Sequence, residues 1–75
     1  MRIIIAGAGA VGRHLAKLLS REDMDISLID DRQDRLGDLD ANYDLLTKVG
    51  SPTSIYDLKS IGVKDVDLFI AVTPS

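Results

Sequence analysis

The sequence has 75 residues, the size of one small domain, and its 45% apolar and 28% charged residues are typical of a folded globular chain. Its net charge of −3 argues against nonspecific binding to nucleic acid, which requires clustered lysine and arginine, so we expect no nucleic-acid partner. The absence of cysteine excludes disulfides, thiol catalysis and thiolate-held metals within these residues.

The first predicted element is a strand over residues 2–6, which is a short apolar run rich in isoleucine. Three glycines with the spacing G-x-G-x-x-G follow, and the sequence then takes on a helical pattern. In such a turn, Gly7 permits the tight bend, Gly9 lets the backbone approach a pyrophosphate, and Gly12 allows the helix to pack closely on the strand. The N–H groups and the dipole of the helix's first turn attract anions, so this turn predicts a nucleotide site.

A helix is predicted from about Ala10 to Glu22, because apolar side chains recur there at helical spacing. No acidic or hydroxyl residue is placed by the sequence to make His14 a catalytic base, so we expect this histidine at the surface. The predicted buried arc consists of Val11, Leu15, Leu18, Leu19 and Glu22, and the predicted solvent-facing arc of Arg13, Lys17, Ser20 and Arg21.

The second predicted strand covers residues 26–30 and ends at Asp30, eighteen residues after Gly12. An acidic residue at this distance accepts hydrogen bonds from ribose hydroxyls and repels a 2′-phosphate, which favours NAD(H) or another unphosphorylated adenosine ribose over NADP(H). Arg32 could instead pair with a 2′-phosphate, or be a solvated helix residue. We expect Asp31 to cap the second helix.

The second predicted helix has an apolar stripe of Leu36, Leu39 and Tyr43, interrupted by the unfavourable Gly37. The third predicted strand covers residues 45–49. Lys48 within it indicates an edge strand, because edge strands often carry lysine.

The third predicted helix begins near Pro52, with Ser51 or Thr53 as its cap. Gly62 is its expected left-handed stop. The last predicted strand covers residues 67–72 and ends before Pro74. The side chains of the third helix that we expect to face inward are Ile55, Leu58 and Ile61.

The alternation of strands and helices predicts an α/β fold: a Rossmann-like parallel sheet with strand order 3-2-1-4 and helices on both faces, the first half of a doubly wound domain. Ligands of such sheets bind beyond the carboxyl ends of the strands, where the strand order reverses. The residues expected to meet there are 7–11, 30–32, 50–53 and 73–75. The alternative is that these glycines and caps only end strands, as in any α/β protein. No apolar run approaches the roughly 18 residues of a membrane span, so we expect a soluble, cytoplasmic protein.

The segments Ile3–Leu19, Ile26–Asp30 and Asp67–Thr73 resemble the N-terminal lobe of the TrkA family, cytosolic regulators of bacterial potassium uptake of the RCK or KTN type. The resemblance implies a non-enzymatic regulator that binds NAD(H), or alternatively ATP or ADP. It also implies a homo-oligomer, a dimer or a ring, beneath a membrane potassium transporter at the inner face of the plasma membrane. Because the family's domain is longer, residues 1–75 are expected to be a single lobe truncated at its C-terminal end.

The resemblance also implies a set of ligand-binding positions. The family usually has an acidic residue after the glycine that follows strand three, where this chain has Ser51. Serine cannot replace a carboxylate that accepts hydrogen bonds from the adenosine end, which implies an altered affinity or ligand choice. By resemblance, the phosphates would contact Gly7, Ala8, Gly9, Ala10, Val11 and Gly12, the ribose Asp30, and Thr73 matches the threonine that ends strand four beside the ligand. Five further candidate ligand contacts are expected from their place at the carboxyl ends of the strands: Asp31, Arg32, Gly50, Ser51 and Thr53.

Two other functions are compatible with the same residues. The chain could be the cofactor-binding half of an NAD-dependent oxidoreductase, which would need a substrate domain carrying an acid or base. It could also be an assembly module whose glycine motif is vestigial. Nucleotide binding separates the last possibility from the other two.

Overall fold

The computed structural model describes residues 1–72, and its centre is a four-stranded parallel sheet in the order β3-β2-β1-β4. The strands are β1 (Arg2–Ala6), β2 (Asp25–Asp30), β3 (Leu46–Val49) and β4 (Leu68–Ala71). The predicted fold class and strand order are therefore confirmed. The edge position that Lys48 indicated for β3 is confirmed as well.

Helices cover both faces of the sheet, because successive strand side chains point to opposite sides. The helices are α1 (Ala10–Ser20), α2 (Gln33–Leu36), α3 (Leu39–Asn42) and α4 (Ile55–Ser60), and a 3-10 turn follows at Val63–Asp65. The first face packs against α1, α2 and α3, and its buried cluster is Ile3, Ile5, Ala8, Ala16, Ile26, Leu28, Leu36, Leu39 and Leu45. The second face packs beneath α4 through Ile4, Ala6 and Ile29, against Leu58, Ile61, Val63 and Val66.

The helix α1 contacts the sheet through a different stripe from the predicted one. Its buried residues are Gly12 and Ala16, whereas Val11 and Leu18 are 62% and 45% exposed. Small residues at the centre of the contact bring the helix backbone close to β1, so residues on either side of the stripe are turned outward. The predicted burial of Val11 and Leu18 was wrong. None of the helices in residues 1–72 has the length and apolar character that crossing a bilayer requires.

The second predicted helix is two short helices, α2 and α3, separated at Gly37. Gly37 has φ +52° and ψ −134°, a conformation that interrupts helical hydrogen bonding and that side chains disfavour. Leu36 and Leu39 are nevertheless both buried, since the break lies on the solvent side. Asp31 is not the cap of α2: that position is occupied by Arg32, which makes no side-chain capping bond.

The helix α4 is capped by Ser54, whose Oγ accepts a hydrogen bond from the Asp57 N–H at 3.2 Å. The predicted caps Ser51 and Thr53 were wrong, because these residues form a separate turn before the helix, with their hydroxyl oxygens 2.9 Å apart. Ile55, expected to face inward, is 67% exposed. The helix ends as predicted before a left-handed glycine at position 62, whose φ is +82°. Pro74 lies outside the described residues.

Candidate nucleotide-binding site

The carboxyl ends of the strands meet at one edge of the sheet and bring three of the four predicted groups of site residues together. The Gly7 N–H donates to the carbonyl oxygen of Ile29 at 2.8 Å, which ties the turn after β1 to β2. The Gly50 N–H donates to the carbonyl oxygen of Asp30 at 2.9 Å, which ties the turn after β3 to the same strand. The fourth group includes Thr73, which lies outside the described residues.

Two glycines of the glycine turn, residues 7–12, are required by the fold itself, independently of any ligand. Gly7 has φ +111°, and a Cβ atom there would overlap the carbonyl oxygen of Val72 in the chain that leaves β4. A Cβ at Gly12 would overlap the carbonyl oxygen of Gly7. These two glycines therefore let β1, β4 and α1 approach one another at the point where the strand order reverses.

Gly9 is different, because its backbone conformation does not require glycine. It is the N-cap of α1, with φ −69° and ψ −173°, and it has no side chain to accept the first N–H groups of the helix. The first turn of α1 contains no acidic residue, and Ala10 and Val11 are exposed. Among residues 1–72, the positive end of the α1 dipole thus has no side-chain cap and no acidic residue in its first turn, an arrangement that attracts a phosphate.

Asp30 is the buried polar residue among those the structure describes, with 1% of its surface exposed. Its Oδ2 accepts a hydrogen bond from the Ala8 N–H at 2.8 Å, and its Oδ1 accepts one from the Arg32 N–H at 2.8 Å. The Arg35 guanidinium donates to Oδ2 at 3.5 Å. The carboxylate that sequence reasoning assigned to the ribose thus holds the glycine turn and the start of the β2–α2 connection.

Burial alone would raise the pKa of Asp30, since it disfavours the charged form. The two backbone N–H groups and the nearby positive charge of Arg35 outweigh burial, so the pKa of Asp30 lies below its usual value. Asp30 is therefore ionised at neutral pH and able to accept hydrogen bonds from a ligand.

The neighbouring predicted residues are less engaged with this edge of the sheet. Asp31 is exposed. The Arg32 guanidinium forms a bidentate pair with Asp34, with distances of 3.1 Å from Nε to Oδ1 and 2.9 Å from Nη2 to Oδ2. Both partners are exposed, and this side-chain hydrogen bonding raises the pKa of Arg32 and lowers that of Asp34. A phosphate contact by Arg32 would compete with Asp34.

Two residues that sequence reasoning did not select lie at this edge. Asp57 reaches from the first turn of α4, and its Oδ2 accepts a hydrogen bond from the Ser51 N–H at 2.8 Å. A carboxylate is therefore present beside Ser51, supplied from six residues further along the chain. The pattern Ser-x-x-Asp over residues 54–57 is a capping signal that could have drawn attention to Asp57. No sequence signal marks Arg35 as the partner of Asp30.

The described structure also has a cavity away from this edge, and it has no cluster of metal ligands. A cavity of about 410 Å³ lies at the opposite, N-terminal edge of the sheet and is lined by Arg2, Asp25, Ser27 and Asp44 among others. Parallel sheets bind ligands at the carboxyl edge, so we assign this cavity no role. In residues 1–72, no group of three or more His, Asp or Glu side chains is arranged to hold a metal ion.

Comparison with known proteins identifies one family model and several relatives that match nearly the whole chain. The family model of the TrkA-N domain matches residues 3–75. A protein of Haemophilus influenzae named Trk system potassium uptake protein TrkA is 47% identical over 75 residues, which are 100% of this chain and 16% of that protein. The protein of the same name from Halomonas elongata is 44% identical over 73 residues, 97% of this chain and 16% of that protein. A TrkA homolog of Methanothermobacter thermautotrophicus is 32% identical over 73 residues, 97% of this chain and 34% of that protein. The chain thus spans 16% of the length of the first two relatives.

Proposed function

The chain belongs to the TrkA-N domain family, and from that membership we propose that it is the nucleotide-binding lobe of a regulatory subunit of a potassium uptake transporter. The relatives that are 47% and 44% identical to this chain are named as potassium uptake proteins of the Trk system, which supports a role in potassium uptake. The regulatory, non-enzymatic role is our proposal. The ligand we propose is NAD(H), with ATP or ADP as the alternative.

The observation that carries this proposal is the hydrogen bond between Asp30 and the glycine turn. Because Oδ2 of Asp30 accepts from the Ala8 N–H, the group that would receive a ribose and the turn that would receive phosphates are held as one unit. An adenine nucleotide carries its phosphates and its ribose on neighbouring atoms, so a joined ribose and phosphate site suits it. Gly9 would let the phosphates approach the exposed N-terminus of α1.

Ligand binding would also require a rearrangement. The Asp30 side chain is 2% exposed and is paired with Arg35, so a ribose that reaches the carboxylate has to displace the guanidinium. A ligand shifts a conformational equilibrium only by its difference in affinity for the two states. We propose that the two states that the ligand discriminates are the one with Arg35 paired to Asp30 and the one with Arg35 released from it, and that the ligand binds the released state more tightly.

The proposed partners are a second copy of the chain, in a dimer or a ring, and the membrane transporter subunit, which places the protein at the cytoplasmic face of the membrane. Exposed apolar side chains on three elements support an assembly, because contact with another chain would remove their apolar surface from water. They are Val11 and Leu18 on α1, Ile55 and Tyr56 on α4, and Leu68 and Phe69 on β4. Sedimentation as a monomer at every concentration would contradict this assembly.

The test is calorimetric titration of the purified protein with NAD+, NADH, ATP and ADP. We expect saturable binding of at least one of them, weakened roughly tenfold or more by Asp30→Asn because a charge-assisted acceptor is lost. The matched control is Asp44→Asn, which removes the same charge from an exposed residue at the opposite edge of the sheet. Thermal melting of both variants would establish that they remain folded. Absence of binding by all four nucleotides would overturn the proposal and favour an assembly module.

A further inference from the structure

A cavity of about 290 Å³ lies between α1 and the α2–α3 segment, and three cationic side chains line it. They are Arg13, Lys17 and Arg35, and Asp38 is the acidic residue in the same lining. We refer to it as the basic cavity. Its remaining wall is formed by Leu36, Gly37, Leu39, Asn42 and Tyr43. None of these residues belongs to the glycine turn, so the basic cavity is a separate feature of the molecule.

The three cations are held at the cavity with few counter-charges. Arg13 and Lys17 are four residues apart on α1 and share one side of the helix. Within residues 1–72, neither of them forms an ion pair, and Arg35 pairs only with Asp30. The Lys17 Nζ lies 5.8 Å from the centroid of the Tyr43 ring, a cation–π contact that keeps the ammonium against the cavity wall.

We propose that the basic cavity binds a phosphate group. Like charges that line one cavity repel one another, and a bound anion with more than one negative charge relieves that repulsion. Guanidinium groups pair with phosphate oxygens through two hydrogen bonds, and lysine adds a point charge. The volume also fits, since each water occupies about 30 Å³ and the basic cavity has room for a phosphate with several waters.

The basic cavity is connected to the candidate nucleotide site through one side chain. Arg35 lines the cavity and also pairs with Oδ2 of Asp30 at 3.5 Å. A phosphate in the cavity competes with Asp30 for this guanidinium and leaves the carboxylate available to a ribose. The phosphate has two chemical sources that fit this geometry: free inorganic phosphate, or a 2′-phosphate on the ribose held by Asp30. The second source rests on the nucleotide function proposed above but would change its ligand from NAD(H) to NADP(H), against the repulsion between Asp30 and a 2′-phosphate. Free inorganic phosphate is independent of the nucleotide.

The first experiment titrates the purified protein with inorganic phosphate at low ionic strength and compares two double variants. Arg13→Gln with Lys17→Gln removes two cations from the cavity. Arg21→Gln with Lys64→Gln removes the same charge from exposed residues outside it. We expect the cavity variant to weaken phosphate binding roughly tenfold and the control variant less than about twofold. Melting curves of both variants report whether the loss of the Lys17–Tyr43 contact has changed the fold.

The second experiment distinguishes the sources by comparing adenosine 2′,5′-bisphosphate with 5′-AMP. If the phosphate is attached to the ribose, the bisphosphate binds more tightly than 5′-AMP, and the cavity variant abolishes that advantage. If it is free, inorganic phosphate binds beside 5′-AMP, and the bisphosphate has no advantage. Either result supports the basic cavity as a phosphate site.

The proposal is overturned if wild-type protein binds neither inorganic phosphate nor the 2′-phosphate with any preference, or if both double variants weaken binding equally. Phosphate binding in the absence of any binding of 5′-AMP, NAD+ or ADP would retain this proposal while removing the nucleotide function. If nucleotides bind but neither phosphate nor the cavity variant has an effect, the nucleotide function is retained and the phosphate site is overturned.

Discussion

The turn after β1 and the turn after β3 are built on the same plan, with different consequences. In each, a glycine ends the strand and the N–H of the next residue donates to a carboxylate at 2.8 Å: Ala8 to Asp30 in the first, Ser51 to Asp57 in the second. The first contact is buried and joins residues 22 apart, whereas the second is half-buried and joins residues six apart.

The glycine of the first turn also tolerates a side chain less well than the glycine of the second turn. A side chain at Gly7 would meet backbone, the Val72 carbonyl oxygen, which cannot move without displacing β4. A side chain at Gly50 would lie 3.0 Å from the Asp57 carboxyl group, which can shift. The first turn is therefore fixed by the sheet, whereas the second can adjust. We therefore expect mutations to be costly at the first turn and mild at the second.

The largest loss in the free energy of unfolding is expected for Gly7→Ala. Its positive φ and the overlap with Val72 together predict a loss of roughly 3 kcal/mol or more in the free energy of unfolding, enough to unfold a domain of this size. Gly37→Ala is the control, because Gly37 also has positive φ but no atom within 4 Å of its added Cβ. Urea unfolding measures both. Equal losses would show that backbone conformation alone, and not the approach of β4, fixes the first turn.

The second largest loss in the free energy of unfolding is expected for Asp30→Asn. An amide cannot accept hydrogen bonds on both of its polar atoms, so one buried N–H loses its partner, at about 2 kcal/mol. The pKa of Asp30 is lowered in the folded state, so its contribution to stability is present above the ordinary carboxyl pKa of about 3.9 and is lost as the pH falls through the lower, folded value. The difference in unfolding free energy between wild type and variant should therefore narrow in acid. A difference that widens in acid would contradict this role.

A smaller effect is expected for Asp57→Asn. The Ser51 N–H would keep an acceptor in only one amide orientation, and α4 would lose a favourable negative charge in its first turn. We expect a loss of about 1 kcal/mol, with exposed Asp23→Asn as the charge control. Thermal unfolding at low salt measures the difference. A loss as large as that of Asp30→Asn would remove the distinction between the two turns.

The smallest effect is expected for Gly50→Ala, because the Asp57 side chain can yield by a few tenths of an ångström. We predict a change below about 1 kcal/mol in the free energy of unfolding. If this variant were as unstable as Gly7→Ala, the second turn would be as rigid as the first.

Sequence reasoning succeeded where the signal is local. The isoleucine run of β1, the glycine spacing and Lys48 each carry their meaning within a few residues. The alternation of strands and helices, joined by right-handed crossovers, predicted the strand order. It failed where an outcome depends on contacts between distant elements. Gly37 alone did not reveal that the helix would divide, because burial of both Leu36 and Leu39 satisfies either structure. The exposure of Val11 follows from how closely α1 approaches β1, which no periodicity records.

In the candidate site, too, the residues marked by local sequence signals were predicted, and those defined by contacts between distant elements were not. The glycine turn and Asp30 were predicted as site residues, and the structure places them at one edge of the sheet. The roles of Arg35 and Asp57 depend on the direction in which a side chain reaches back from a helix, to Asp30 in one case and to Ser51 in the other. Such directions are set by the packed fold and leave no mark on the spacing of residues.

The most direct test of nucleotide binding uses Gly9, whose backbone conformation does not require glycine. The φ of −69° and ψ of −173° of Gly9 at the start of α1 are open to residues with a side chain, so the backbone conformation permits Gly9→Val, and melting curves identify whether the variant is folded. The added side chain would stand where a phosphate must approach the helix N-terminus. We predict that calorimetric titration with NADH or ADP shows saturable binding to wild-type protein and none to a folded Gly9→Val variant. Equal binding by both proteins would contradict the account.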